Sequence, residues 1–325
     1  MTQRNVLEAI NNALDEEMSR NPNVMVLGLD VGKLGGVFRA TSGLLEKHGA
    51  QRVVDTPLAE ASIIGASLGL AISGMVPVAE IQFLGFTAQA FHQIGPQLAR
   101  YRTRSRGRFH CQVTIRAPFG GGISSPEFHS DAVEAQFVQS PGIKVVMPSN
   151  PYDAKCLLIE AIRDPDPVLY CEPDRIYRLA RMEVPDGAYT IPFGKAAVIR
   201  EGADVTLVAW SAAVELCLLA AGRLADDGIS ATVVDLRTLV PFDVETVVSA
   251  VARTGRCVVV HEAPLSGGFG AEIAATLASE AFYDLDAPIA RVAAYDVPYP
   301  AAPLEAWYLP SVERVVAAAR KTARQ

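Results

Sequence analysis

Residues 61–79 form a run of nineteen without a single charge, bounded by Glu60 and Glu80. Nineteen uncharged residues nearly suffice to cross a bilayer. Three glycines, three serines and Pro77 interrupt the run, however, and Leu, Ile, Val and Met fill fewer than half its places. The pattern instead predicts a small-residue helix over 60–73, a turn at Gly74 and a buried strand over 76–81. Gly65 and Gly69 lie four apart on one helix face, where they let another backbone approach closely. Such a helix is made to be packed against on most sides. Glu60 therefore opens a buried helix, and Glu80 sits inside a buried strand. Carboxylates in such places are costly unless paired or used.

The 325 residues suit two domains, each able to bury its own core. A net charge of −7 gives no reason to expect nucleic acid or an anionic membrane as partner. Five cysteines are scattered without a Cys-x-x-Cys pair, which reads as reduced thiols in the cytoplasm. Met1 leads straight into a helical pattern, so no signal or transit segment is expected.

Asn5 predicts the cap of a helix running to Arg20. Strands are expected over 24–27, 52–54, 112–117, 145–147 and 168–170, and helices over 87–104, from Ser130, and over 152–162. From 182 to 194 the period is lost between two Pro- and Gly-containing turns, which reads as a linker. A second alternation follows: strands over 205–209, 232–235, 257–261 and 289–292, and helices over 213–226, 244–253, 270–283 and 311–323. The fold class is α/β with two doubly wound domains and mainly parallel sheets. The domain limits expected are 1–181, a linker over 182–194, and 195–325.

Glu60-x4-Gly65-Ala66-x2-Gly69, with Asp55-Thr56-Pro57 before it and Glu80-Ile81-Gln82-Phe83 after it, resembles the beta subunit of thiamine-dependent 2-oxo acid dehydrogenases. Leu27-Gly28-x-Asp30-Val31, Gly35-Gly36-Val37-Phe38, Tyr101-Arg102-x-Arg104-Ser105, Asp235-Leu236-Arg237-Thr238 and His261-Glu262-Ala263-Pro264 extend the resemblance over essentially the whole chain. It implies a pyrimidine-binding domain followed by a transketolase-like C-terminal domain. It also implies that Glu60 hydrogen-bonds the pyrimidine ring nitrogen of thiamine diphosphate. A proton shared there promotes the imino form of the cofactor's amino group, and a buried carboxyl able to hold a proton near neutrality serves that need. The alternative for such a residue is a helix-terminal glutamate stabilised by the helix dipole.

By the same resemblance Leu58 offers a carbonyl to the cofactor, Gln82 lines its pocket and the Phe86 ring stacks on the pyrimidine. His129 positions the substrate and assists acyl transfer to a lipoyl group, chemistry that suits a histidine at a loop mouth. A potassium ion is implied near Cys111, Val113, Thr114, Ala161, Asp164 and Asp166, mostly through carbonyl oxygens. The chain lacks the Gly-Asp-Gly…Asn signature that holds Mg²⁺ and diphosphate, so an alpha subunit is expected to complete the site. A second beta subunit and a lipoyl-bearing acyltransferase core are the other implied partners.

Branched-chain substrates such as 2-oxoisovalerate stand narrowly ahead on the Ile81-Gln82-Phe83 and Gly-Gly-Val-Phe runs. Pyruvate or acetoin is the close alternative, because Gly85-Phe86 and His129-Ser130-Asp131 resemble bacterial pyruvate-type chains. Where the branched-chain pattern has Phe-x-Asp-Tyr, this chain has Phe83-Leu84-Gly85-Phe86; where it has His-Ser-Gln-Ser, this chain has His129-Ser130-Asp131-Ala132. Leu29 replaces a usual glutamate, which leaves a catalytically silent scaffold subunit as a reading from a different class. A free-standing nucleotide-binding protein is disfavoured, as no Gly-x-Gly-x-x-Gly follows the first strands. The arginines at 100, 102, 104, 106 and 108 read as a partner-docking or solvated surface rather than a nucleic-acid site.

Overall fold

A computed structural model describes residues 1–179 and 181–324. Its strands in chain order are β1 (Thr2–Arg4), β2 (Val24–Gly28), β3 (Val53–Asp55), β4 (Val76–Glu80), β5 (Thr114–Phe119), β6 (Lys144–Val146), β7 (Val168–Pro173), β8 (Met182–Val184), β9 (Ala197–Arg200), β10 (Val205–Ala209), β11 (Ala231–Asp235), β12 (Thr238–Val240), β13 (Cys257–Pro264) and β14 (Ala290–Ala294). They form a seven-stranded sheet of order β12-β6-β7-β5-β4-β2-β3, a five-stranded sheet of order β14-β13-β10-β11-β9, and the two-stranded ribbon β1-β8. The larger sheets are parallel except at one edge each, where β12 and β9 run antiparallel. Strands β2, β4, β5 and β7 are buried throughout, as the near-continuous apolar runs of a covered parallel sheet require.

Local chemistry explains the elements. Asn5 Oδ1 accepts from the Glu8 amide at 2.9 Å and Glu8 Oε2 accepts from the Asn5 amide at 3.1 Å, a reciprocal cap for the helix Val6–Arg20. That helix packs on Pro151–Arg163, and the buried Glu17 between them is held by Arg163 and Arg20. Lys155 is also buried; its Nζ donates to Glu16 at 2.8 Å and to the carbonyl of Pro185 at 2.7 Å. It thereby ties the segment after β8 to the first domain.

Three expectations need correction. Residues 182–184 do not lack regular structure but form β8, paired antiparallel with Thr2–Arg4. No helix starts at Ser130: a 3₁₀ turn over Glu127–His129 precedes a short helix at Ala135–Val138. Ser130 and Glu134 are instead buried, pinning the intervening chain in an irregular path. The helix expected over 270–283 ends at Glu280 and a 3₁₀ turn follows. The 87–104 stretch is helical throughout, but Gln93–Ala99 winds as a wider i→i+5 segment around Pro96. Proline has no amide to donate and crowds the preceding turn, which the wider winding relieves.

The sheets are stitched together. After β11 the chain crosses back and adds β12 to the edge of the first sheet beside β6. Arg237 Nε donates to Asp153 at 2.9 Å, and Ser149 bonds Asp235 across the same seam. All five cysteines are buried unpaired thiols, and no helix among the described residues is long and apolar enough to cross a membrane.

Candidate active site

In the first sheet β2 lies between β3 and β4, so the chain reverses its direction of advance at the carboxyl end of β2. Such switch points are where open parallel sheets bind ligands. The sequence-derived residues collect at this edge. Glu60 begins the helix Glu60–Ile72 after β3; Gln82 follows β4, and Phe86 ends the 3₁₀ turn Leu84–Phe86. His129 ends the loop that follows β5.

Glu60 is only 7% exposed, and its carboxyl makes no hydrogen bond or ion pair with any other described residue. Ala59 before it provides no side-chain cap for the helix's first amides. An acidic group here is favoured by the helix dipole and is available to an outside partner. Glu80 has the opposite fate. Arg116 Nη1 donates to Glu80 Oε2 at 2.8 Å, and its Nη2 donates to Glu172 Oε2 at 3.0 Å. The Tyr177 hydroxyl donates to Glu172 at 2.6 Å. Burial raises Glu80 above the usual carboxylate range, opposed by the Arg116 charge and reinforced by Glu172. Glu80 is thus the paired carboxylate of the two and Glu60 the free one.

The His129 ring sits 4.6 Å from Phe83 and 5.0 Å from Phe86, both edge to face. Phe86 stacks on Phe128 at 5.6 Å, and Phe38 closes on Phe83 at 5.6 Å. His129 Nδ1 is buried without a partner among the described residues. Phe86 and Gln82 are half-buried, whereas the Leu58 side chain is 68% exposed and outside the aromatic set. Gly85 explains the first departure from the branched-chain pattern. A Cβ there would lie 2.5 Å from the Phe128 carbonyl and 3.2 Å from Asp131 Oδ2, so any side chain would push away the loop carrying His129. The two departures, at 85 and 131, pack against each other. Burial, with Glu127 nearby, raises the Asp131 carboxyl above its usual value. Leu29, the third departure, is half-buried directly after β2.

The implied potassium ligands lie at the end of the helix Pro151–Arg163 and around the start of β5. Lys144 Nζ lies 2.9 Å from Asp164 and Arg102 Nη1 lies 2.5 Å from Asp166, so both carboxylates are ion-paired. The Val113 carbonyl is already bonded by the Val168 amide at 3.0 Å. Cys111, Thr114 and Ala161 are fully enclosed. No cluster of three metal-ligating side chains occurs among the described residues.

A second group of acids, not anticipated from the sequence, lies beneath the His129 loop. Glu134 and Glu262 are pushed up to about 7 and Asp174 to about 9, in each case chiefly by burial. The signal was present in the Gly120-Gly121-Gly122 run and in Glu262 at a strand end, but nothing local paired them. Carboxyls raised in the fold bind protons that the unfolded chain has released, so their stabilisation is complete below the unfolded values near 4. It is lost as pH rises through about 7 for the glutamates and about 9 for Asp174. The melting temperature should therefore fall from pH 5 to 9, and Asp174→Asn should flatten the part above pH 7. Superimposable slopes in calorimetric scans of the two proteins would refute this.

The fold thus brings an unpaired buried carboxyl and an aromatic wall to the switch point of the first sheet. Residues 2–179 match the family "Transketolase, pyrimidine binding domain" and residues 194–315 match "Transketolase, C-terminal domain". The chain is 50% identical over 322 residues to the pyruvate dehydrogenase E1 component subunit beta of Staphylococcus epidermidis, covering 99% of each. It is 49% identical over 321 residues to that of Bacillus subtilis, again over 99% of each. Among solved structures, a split-gene transketolase described as an inactive beta4 tetramer superposes with TM-score 0.82 at 28% identity, over 99% of each chain. A Pichia stipitis transketolase shares the fold at TM-score 0.71 and 16% identity, with all of this chain covering 46% of that one. The chain belongs to the beta subunits of the thiamine-dependent 2-oxo acid dehydrogenases, an oxidoreductase component.

Proposed function

We propose that this chain is the beta subunit of the decarboxylating component of a pyruvate dehydrogenase. An alpha subunit would hold Mg²⁺ and the diphosphate of thiamine diphosphate, and the acetyl group would pass reductively to a lipoyl group on an acyltransferase core. The observation that carries this reading is the identity of about half over full length to chains named for pyruvate. The Gly85–Asp131 packing supports it, because the branched-chain pattern has a carboxylate at the first of these positions and no room exists for one here. The branched-chain preference drawn from Ile81-Gln82-Phe83 gives way to pyruvate on these grounds. The five unpaired thiols suit a cytoplasmic setting.

The residues present fit the pyrimidine end of the cofactor. When bound, thiamine diphosphate supplies a nucleophilic carbon and an electron sink for decarboxylation. Glu60, a buried carboxyl unpaired among the described residues, would share a proton with the ring nitrogen. Phe86 and Phe83 form an apolar wall that excludes water, and Gln82 supplies an amide beside it. His129, held between these rings, keeps a ring nitrogen free for the acyl-transfer step to the lipoyl sulfur.

Reconstitution with an alpha subunit tests this reading. Turnover with pyruvate, 2-oxobutyrate and 2-oxoisovalerate, dependent on added cofactor, should rank pyruvate first. A branched substrate ranking first would overturn the substrate assignment, and no turnover with any would favour a silent scaffold.

Partner geometry has its own prediction. Along the helix Glu60–Ile72 every exposed position is small: Ser62, Gly65, Ala66 and Gly69, with Ser73 continuing the stripe. A Cβ on Gly69 would meet nothing within 4 Å in this chain. Gly69→Leu should therefore leave the isolated fold intact, and even favour the helix. It should weaken subunit association by about 1–3 kcal/mol through overpacking. Equal sedimentation behaviour of variant and wild type would remove this face from the interface.

A further inference from the structure

The loop 120–131 is held from the C-terminal domain by two carboxylates, Glu305 and Glu262. Glu305 Oε1 accepts from the Gly122 amide at 2.9 Å and from the Tyr299 hydroxyl at 2.5 Å. Its Oε2 accepts from the Ser124 amide at 3.3 Å. Glu262 Oε2 accepts from the Gly121 amide at 3.3 Å. Burial and the bond to Glu305 push the Tyr299 phenol well above its ordinary value, so it keeps its proton and donates. Tyr299 also faces the hydroxyl of Ser130, the residue after His129.

The glycine triplet follows from this clasp. A Cβ on Gly120 would lie 2.5 Å from Glu262 Oε2, one on Gly121 would collide with the Tyr299 hydroxyl, and one on Gly122 would lie 2.8 Å from the Arg175 side chain. Gly120 and Gly122 have φ of +94° and +101°, and Ser124 has φ of +59°. A glycine-rich loop loses much conformational freedom when fixed, so a path like this requires strong contacts to persist. Bonds from amides to a carboxylate are of the stronger, charge-assisted kind. On the far side Gly85 allows the Phe128 carbonyl to seat against the 84–86 turn. The segment bearing His129 is thus clamped between two domains.

We infer that Glu305 and Tyr299 are positioning residues for His129, and that this is what the C-terminal domain contributes to acyl transfer. The inference rests on the reading of His129 given above. Groups in acid–base roles must be held within about 0.5 Å of their productive placement. Cofactor binding and decarboxylation, carried by Glu60 on a rigid helix start, do not depend on this clasp.

The experiment uses the complex assembled with an alpha subunit, carrying Glu305→Gln or the milder Tyr299→Phe. Three quantities are read: hydrogen exchange of the 120–131 peptide, decarboxylation coupled to an artificial electron-accepting dye, and reductive acetylation of a lipoylated domain. Exchange should rise by about tenfold or more, and lipoyl acetylation should fall by about tenfold, the cost of a positioning error on an acid–base group. Dye-coupled decarboxylation should stay within about twofold, a split that general destabilisation would not produce. Unchanged exchange in both variants, or the two rates falling in parallel, would overturn the inference. His129→Ala is run alongside: if it leaves lipoyl acetylation untouched, the role proposed for His129 is wrong, and positioning by Glu305 falls with it even where exchange has risen. If His129→Ala abolishes acetylation while Glu305→Gln and Tyr299→Phe do not reduce it, only the positioning role fails.

Discussion

Glu60→Gln should lower decarboxylation by the assembled enzyme by on the order of 10²–10⁴-fold, the range for losing a positioned acid–base group. That corresponds to about 3–5 kcal/mol of barrier. The amide keeps the size and hydrogen-bonding capacity of the carboxyl but cannot exchange a proton. Glu60 is buried at a helix start with no partner in its own chain, so no ion pair is broken and the fold should survive. A neutral amide is also easier to bury than a charge. Cofactor affinity should change little, because the contacts proposed on the alpha subunit provide most of the grip. The informative measurement is deuterium exchange at the cofactor's reactive carbon in the reconstituted complex, beside turnover. Wild-type exchange in the variant would reduce Glu60 to a dipole-stabilised helix terminus and remove the centre of the proposed mechanism.

What the sequence disclosed divides along the range of the interactions. The parallel strands β2, β4, β10, β11 and β13 were legible because covered strands read as unbroken apolar runs. The helix Glu60–Ile72 and the Asn5 cap were legible because their signals lie within a few residues. The pairing of β1 with β8, and the return of β12 to the first sheet, depend on partners more than 90 residues away. Neither short strand carries enough apolar pattern to be seen alone. The same holds at the site. Glu60 and His129 stood out by motif, but the sequence left Glu80 as suspect as Glu60, since Arg116 lies 36 residues downstream and Glu172 a further 56. Glu305, 183 residues from Gly122, was invisible as a loop anchor. Gly85 and Asp131 were both noticed; their meaning depended on their contact, which only the fold supplies.

The distinction between Glu60 and Glu80 yields the second large effect, on stability rather than rate. Arg116, Glu80 and Glu172 are 0%, 4% and 0% exposed, at the centre of the first sheet. Burial works against the Arg116 charge, but Glu172 and Glu80 outweigh it and hold the guanidinium above its ordinary value. Arg116→Met fills a similar volume yet strands two carboxyls in a dry interior. Removing one partner of such a buried set costs about 3–5 kcal/mol. For a chain of this size that lowers the melting temperature by on the order of 10 °C. Adding Glu80→Gln and Glu172→Gln to the same chain removes the stranded charges and should recover most of the loss, because neutral groups need only hydrogen bonds. The network also bears on function. Glu80 pairs in register with Gly28 where β2 and β4 end, and with Arg116 inside β5, just before the segments that carry Gln82, Phe86 and the His129 loop. A single variant melting within about 2 °C of wild type, or a triple variant no more stable than the single, would show that Arg116 does not hold this edge of the sheet together.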